Sequence, residues 1–252
     1  MSFSPTRSLA AAAGLAMATA SLAACAPSSS AHALAVVATT TQVCDYVTQI
    51  AARSADISLD KTDAAGKSSH VGAAPEGAAL TMSLTCLLAP NASAHEHEMT
   101  PAQTSALAQA DVMAVSGVDL EHFLDDAVVS SGFKGRMVVT SGILTAADVD
   151  NPGTPDPEGA YTIDRGSERV DVAPWPFPPE EAGEEPEFRF DPHVWTSPKG
   201  ARIQVANLGA GLAAAAPDAA SSINAATASY LEEIDALDQW AAEAIETVPE
   251  GQ

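Results

Sequence analysis

Short apolar runs of strand length alternate along this chain with segments of helical period, and that alternation restricts the fold more than any other feature. Leu34-Ala35-Val36-Val37-Ala38 is too short for a helix and ends in three threonines, so it reads as a buried strand. Val43, Tyr46, Val47 and Ile50 follow at helical spacing within residues 42–52. Leu80, Met82, Leu84, Cys86 and Leu88 then alternate with Thr81, Ser83 and Thr85, the period of a strand with one apolar face. Thr100-Pro101-Ala102-Gln103 has the form of a helix start, with Thr as cap, Pro in the first turn and Gln closing a capping box. Residues 112–115 read as a strand, 119–130 as a helix and 137–139 as a strand. Strands alternating with helices predict an α/β fold, a parallel sheet with helices on both faces.

After Ser197-Pro198, a second cap and first-turn proline, Val205, Leu208 and Leu212 share one helix face. Pro217 opens the last element, in which Ile223, Ala226, Tyr230, Ile234, Leu237, Ala241 and Ala244 recur every three or four residues. That helix could run about 30 residues, or about 45 Å. Tyr230, Ile234 and Leu237 form an apolar stripe along it.

Two stretches break the pattern. Residues 60–77 are small and polar and read as a surface loop, with His70 solvated and without a role. Residues 148–187 are dense in Pro, Gly, Asp and Glu and read as a long acidic loop. Their carboxylates lack the Asp-x-Asp-x-Asp-Gly spacing of a calcium loop, so a solvating role is expected there rather than a metal site. Across all 252 residues, 33 Asp and Glu outnumber 11 Lys and Arg, a formal charge of -22 that repels a phosphate backbone and excludes nucleic acid as partner.

At the N-terminus Arg7 precedes an Ala/Leu/Met run over residues 9–24, ending in Leu22-Ala23-Ala24-Cys25 and a Ser/Pro/Ala tail. The run is too weakly apolar for a membrane span, and Leu-Ala-Ala-Cys resembles a bacterial lipobox. The resemblance implies a signal peptide over 1–24, a lipid-bearing Cys25 and a tether over 25–33; the alternative is an ordinary secretory signal with an incidental cysteine. Export places Cys44 and Cys86 where thiols can pair. Cys44 begins the first helix and Cys86 lies near the end of the Leu80 strand, positions that neighbour one another in a parallel sheet, so a disulfide is expected, with two buried free thiols as the alternative.

The chemistry-bearing residues are histidines. His95 and His97 lie in a loop after a strand, and His193 lies in a second loop far along the chain, where α/β folds place ligands. A lone surface histidine is ordinarily solvated, so their context matters. Ala89-Pro90-Asn91-Ala92-Ser93-Ala94-His95-Glu96-His97-Glu98-Met99-Thr100-Pro101, the later Ser116-Gly117-Val118-Asp119-Leu120-Glu121, and Asp191-Pro192-His193-Val194-Trp195 stand in the order and spacing of one family. They resemble the substrate-binding lipoproteins of zinc and manganese ABC importers. The resemblance runs from Leu34 to the C-terminus, and Asp-Pro-His-Val-Trp is its most specific part.

The resemblance implies that His95 and His193 are metal ligands. His97 falls where the family has an aromatic, implying a lining residue or a further ligand. Ser93-Ala94 stands where the family has Asp-Pro. His122, beside Leu120-Glu121, is read as a solvated position on a helix. Family members continue past the long helix into a second lobe that donates the remaining ligands, whereas this sequence ends at Pro249-Glu250-Gly251-Gln252, so the resemblance implies that the stripe of Tyr230, Ile234 and Leu237 lacks a partner and promotes self-association. The expected organisation is therefore an N-terminal α/β lobe over 34–147 and 188–216, the acidic insert over 148–187 and a linking helix over 217–248, with the C-terminal lobe missing. Two histidines do not complete a tetrahedral site, and the choice between zinc and manganese would fall to ligands beyond Gln252.

The implied function is capture of a transition-metal ion, zinc or manganese, and its delivery to the membrane subunits of an ABC permease. The protein would be held by Cys25 on the outer face of the bacterial cytoplasmic membrane, and no enzyme activity is expected. Two other readings stand beside it. One is an adhesin or structural lipoprotein that keeps the fold without metal. The other is a secreted metallohydrolase with a binuclear site on His95-x-His97, which would need further ligands that the acidic insert does not supply.

Overall fold

The computed structural model describes Met1 and residues 33–152, 159–179 and 184–249; Cys25 and the run before it lie outside the described residues. Seven strands form one sheet in the order β3-β2-β4-β1-β5-β6-β7. They are β1 (Leu34–Ala38), β2 (Ile57–Thr62), β3 (Ser68–Gly72), β4 (Leu80–Cys86), β5 (Val112–Val115), β6 (Arg136–Val139) and β7 (Thr162–Asp164). Every pairing is parallel except the hairpin of β2 with β3. The helices are α1 (Thr41–Ala52), α2 (Pro101–Ala108), α3 (Leu124–Ser131), α4 (Ala146–Asp150), α5 (Pro198–Ala215) and α6 (Ala220–Glu246).

Side-chain alternation along the strands divides the core into two layers. Leu34, Val36 and Ala38 of β1 join Val43, Val47 and Ile50 of α1, Val205, Leu208 and Leu212 of α5, and Ile223 and Ala226 of α6 on one face. Val37 points the other way and meets Leu107 of α2, Ala127 of α3, Met113, Val115 and Phe133. Full burial of each Val, Leu or Ile contributes about 1.5–3 kcal/mol relative to exposure. Since α1 leaves β1 toward one face and α2 leaves β4 toward the other, loops diverge at the carboxyl ends of these neighbouring strands and leave a crevice there.

The caps form as the sequence predicts. Thr100 Oγ1 accepts from the Gln103 backbone N–H, and the Gln103 side chain accepts from the Thr100 N–H, with Pro101 in the first turn. Ser197 Oγ accepts from the Gly200 N–H ahead of α5. Cys44 and Cys86 are joined by a disulfide with a Cα separation of 5.6 Å.

Three expectations are corrected. Residues 60–77 are not simply a surface loop: β2 is an interior strand and β3 an edge strand, and exposed His70 bridges Asp60 at 3.0 Å and the Ala73 carbonyl at 2.9 Å. The acidic insert contributes α4 and the edge strand β7, where Arg136 of β6 pairs with Asp164 at 2.9 Å. The helix expected from residue 119 begins only at Leu124, because Gly117, Val118 and Asp119 all adopt positive φ and form a turn. At Gly117, with φ 91°, an added Cβ would overlap the Ile143 carbonyl oxygen. Gly117→Ala is expected to lower stability by about 2 kcal/mol; an unchanged urea midpoint would contradict the close approach.

The long helix α6 spans 27 residues, about 40 Å. The expected unpartnered stripe lies further along than the sequence suggests. Ile234 is buried, and Tyr230 is half-buried beneath the Arg53 guanidinium, 4.4 Å from its ring centre, and 6.4 Å from the Tyr46 ring. Arg53 Nε also donates to Glu233 at 2.9 Å, tying α6 to the end of α1. Toward the end of α6 and just beyond it, Leu237, Trp240, Ile245 and Val248 are large apolar residues left exposed. Among the described residues no helix is long and apolar enough to cross a membrane.

Candidate functional site

His95 lies in the loop between β4 and α2, and His193 lies in the loop that enters α5 through a 3-10 turn, Val194–Thr196. The placement of α5 is set by a polar network buried beneath it. Gln204 Nε2 donates to Ser116 Oγ at 3.1 Å and to Thr140 Oγ1 at 3.2 Å, just past the ends of β5 and β6. Gln204 Oε1 accepts from the Tyr46 hydroxyl at 3.4 Å, and burial pushes that hydroxyl's pKa up. Asn207 Nδ2 donates to the Thr140 and Glu168 carbonyls at 2.9 and 2.8 Å. Buried amides satisfied in this way lock the helix to the carboxyl edge of the sheet, and His193 with it.

The His95 and His193 ring centres lie 5.9 Å apart. Two imidazoles sharing one zinc ion at about 2 Å per bond have ring centres about 5 to 6 Å apart, so this pair is within reach of a common ion. Hydrogen bonding also selects which nitrogen each ring offers. His95 Nδ1 lies 3.1 Å from the Leu120 carbonyl, which only accepts, so Nδ1 donates there and Nε2 is the nitrogen left for a ligand. His193 Nδ1 lies 2.8 Å from Asp191 Oδ1, with the same consequence. Burial would push the Asp191 carboxyl up, but bonds from the His193 backbone N–H and ring hold it below the usual carboxylate range. Orienting a histidine by a carbonyl or a carboxylate on its far nitrogen is the arrangement that makes imidazole a metal ligand.

Aromatic side chains wall this pair. Phe188, almost fully buried, packs 4.9 Å from His95 and 5.0 Å from Trp175. Trp175 stacks on His193 at 5.9 Å, and Trp195 approaches the same ring edge-on at 5.3 Å. Trp175 reaches the site because its N–H bonds the Arg189 carbonyl while the Asp191 N–H bonds the Ala173 carbonyl, a short antiparallel pairing around Pro174 and Phe190. The insert therefore helps to wall the site, which its acidic composition does not suggest. The visible signal was a tryptophan and two phenylalanines, Trp175, Phe177 and Phe188, in or beside an otherwise polar stretch.

The other histidines fall out differently. The His97 ring packs against Phe123 at 4.9 Å, and its Nε2 is buried without a hydrogen-bond partner. Burial lowers its pKa, with Gln103 pulling in the opposite direction. The Phe123 contact gives His97 an apolar neighbour. His122 is exposed, as expected, but it sits in the turn before α3 rather than on a helix, and its ring lies 5.9 Å from His95 and 5.3 Å from Phe188. Among the described residues no group of three or more His, Cys, Asp or Glu side chains is arranged to hold one metal ion.

Glu121 holds the turn that carries Leu120. Its carboxyl is buried and accepts from the Ser116 and Gly117 N–H groups at 2.7 and 3.0 Å and from the Thr39 hydroxyl at 2.6 Å. Burial pushes its pKa up against the pull of those donors.

A family model described as ZnuA, the periplasmic component A of a zinc-uptake complex, matches residues 78–252. Among solved structures the chain is similar to zinc-bound AdcA from Streptococcus pneumoniae, with 18% identity and a TM-score of 0.54 over 85% of this chain and 33% of that one. It is similar to a zinc-bound deletion mutant of ZnuA at 16% identity and a TM-score of 0.54, over 86% of this chain and 60% of that one. It is also similar to a manganese-bound mutant of a periplasmic metal binding protein from Candidatus Liberibacter asiaticus, at 17% identity and a TM-score of 0.51, over 85% of this chain and 57% of that one. At these identities the likeness is one of fold, and this chain spans between 33% and 60% of the length of those structures.

Proposed function

Because the chain belongs to the ZnuA family, whose members are periplasmic components of zinc uptake, we propose that it captures a zinc or manganese ion outside the cytoplasm and passes it to the membrane subunits of an ABC importer. The observation that carries the reading is the placement of the two site histidines and the oxygen that each meets on Nδ1. His95 and His193 each spend Nδ1 on an oxygen and present Nε2, with ring centres 5.9 Å apart. Neutral imidazole nitrogens suit zinc, and a carboxylate completing the shell would shift the preference toward manganese. Capture and release need ligands and shape and no covalent step. The charge of -22 draws cations toward the protein, and a lipid on Cys25 would keep it beside the permease.

Two protein ligands leave the rest of a tetrahedral shell to water, so the chain by itself is expected to bind zinc weakly and one to one. Titration calorimetry tests this with His95→Ala and His193→Ala variants. Each substitution is expected to lower the affinity by about tenfold or more. Tight binding by the unaltered chain would overturn the two-ligand site, and binding that survives both substitutions would overturn the assignment of the ligands.

A further inference from the structure

We propose that His122 is a second imidazole partner for an ion held by His95, so that His95 serves two overlapping positions: an inner one shared with His193 and an outer loading position shared with His122. The inference rests on the capture function proposed above and deepens it. His95 lies 5.9 Å, centre to centre, from both rings, the separation at which two imidazoles can share an ion. Phe188 underlies both His95 and His122, at 4.9 and 5.3 Å, so one buried aromatic floor supports the outer pair.

The two partners of His95 differ in a way that suits successive use. The His193 ring is held by Asp191 and flanked by Trp175 and Trp195. His122 is exposed in a turn and lines a cavity of about 410 Å³ whose wall includes Asp119, Asp125 and Glu187. Asp119 is partly engaged, accepting from the Ala146 N–H at 2.7 Å, while Asp125 and Glu187 are exposed. An acidic cavity raises the local concentration of a divalent cation, and His122 is the nitrogen donor that joins it to His95. His95 offers a single free nitrogen and so holds one ion at a time, and contacts are seen from His95 to each of the other two rings, so the ion takes His122 and His193 in turn. That exchange agrees with the lack of any three-ligand group among the described residues.

The test uses the full chain and zinc alone, with His193→Ala as the background. Residual one-to-one zinc binding is expected, and the side-chain nitrogen signals of His95 and His122 should shift together on titration in heteronuclear NMR. Adding His122→Ala is expected to weaken that residual binding by about tenfold or more; the position is exposed, so folding is retained. Residual binding that is unchanged by His122→Ala, or a His122 signal that does not respond to zinc, would overturn the loading position while leaving the inner pair standing. If His95→Ala and His193→Ala both bind zinc as the unaltered chain does, the capture function fails and this inference fails with it.

Discussion

Replacing both Cys44 and Cys86 by alanine is expected to lower the unfolding free energy by about 4 kcal/mol, measured from urea midpoints under non-reducing conditions. The bond closes a loop over a sequence separation of 42 residues, and the loop-closure entropy removed from the unfolded chain corresponds to about 4 kcal/mol at 25 °C. Both cysteines are buried, one at the start of α1 and one at the end of β4. Their bond therefore clamps the first helix to the strand whose following loop carries His95. The unaltered protein treated with a reductant should approach the double variant. A loss below about 1 kcal/mol would show that the unfolded chain is already restricted in that loop or that the thiols repack without cost.

Glu121→Ala is expected to cost about 3 kcal/mol and to weaken zinc binding as well. Removing the carboxyl strands the Ser116 and Gly117 N–H groups in a buried site, each costing about 1–3 kcal/mol, while relief of a buried acid offsets part of the loss. The Thr39 hydroxyl is spared because it can donate to the Ala114 carbonyl, 3.2 Å away. Freed of its clasp, the turn no longer fixes the Leu120 carbonyl that orients His95, and affinity should fall by about tenfold. Glu121 thus acts as a positioning residue. Glu121→Gln keeps one acceptor oxygen and should recover part of both effects. Stability that falls while zinc affinity holds would show that Leu120 keeps its place without Glu121.

Much of the scaffold could be read from local pattern. Thr100, Pro101 and Gln103 encode a cap whose partners lie within three residues, and β1, β4 and β5 are runs whose apolar content is continuous or strictly alternating. Signals of that kind are complete in a short window. The fold class, a parallel sheet with helices on both faces, follows from them, whereas the strand order is seen only in the structure. The motif around Asp191 likewise carries its own geometry, because the carboxylate that orients His193 is two residues away.

Other features depend on partners distant in sequence. In β2, Asp60 and Lys61 interrupt the apolar period, and the strand exists because β4 on one side and β3 on the other satisfy its backbone. Only three residues long, β7 forms because β6 offers an unpaired edge and Arg136 meets Asp164. The stripe on α6 was misplaced for the same reason: Tyr230 is covered by Arg53, and helical period alone does not say which neighbour α1 will present. At the site, local sequence supplied His95 and His193 as separate candidates, by resemblance. Their 5.9 Å approach, the tautomer set on His95 by a carbonyl 25 residues away, the aromatic wall from Trp175 and Phe188, and the nearness of His122 are long-range contacts. The sequence by itself determined the central strands and the capped helices and, by resemblance, named His95 and His193 as candidate ligands, while β2, β3 and β7 went unread because their partners are distant. Tertiary packing decided which of those residues meet, because hydrogen bonds and ring contacts between segments far apart in the chain form only once the sheet and its helices have brought them together.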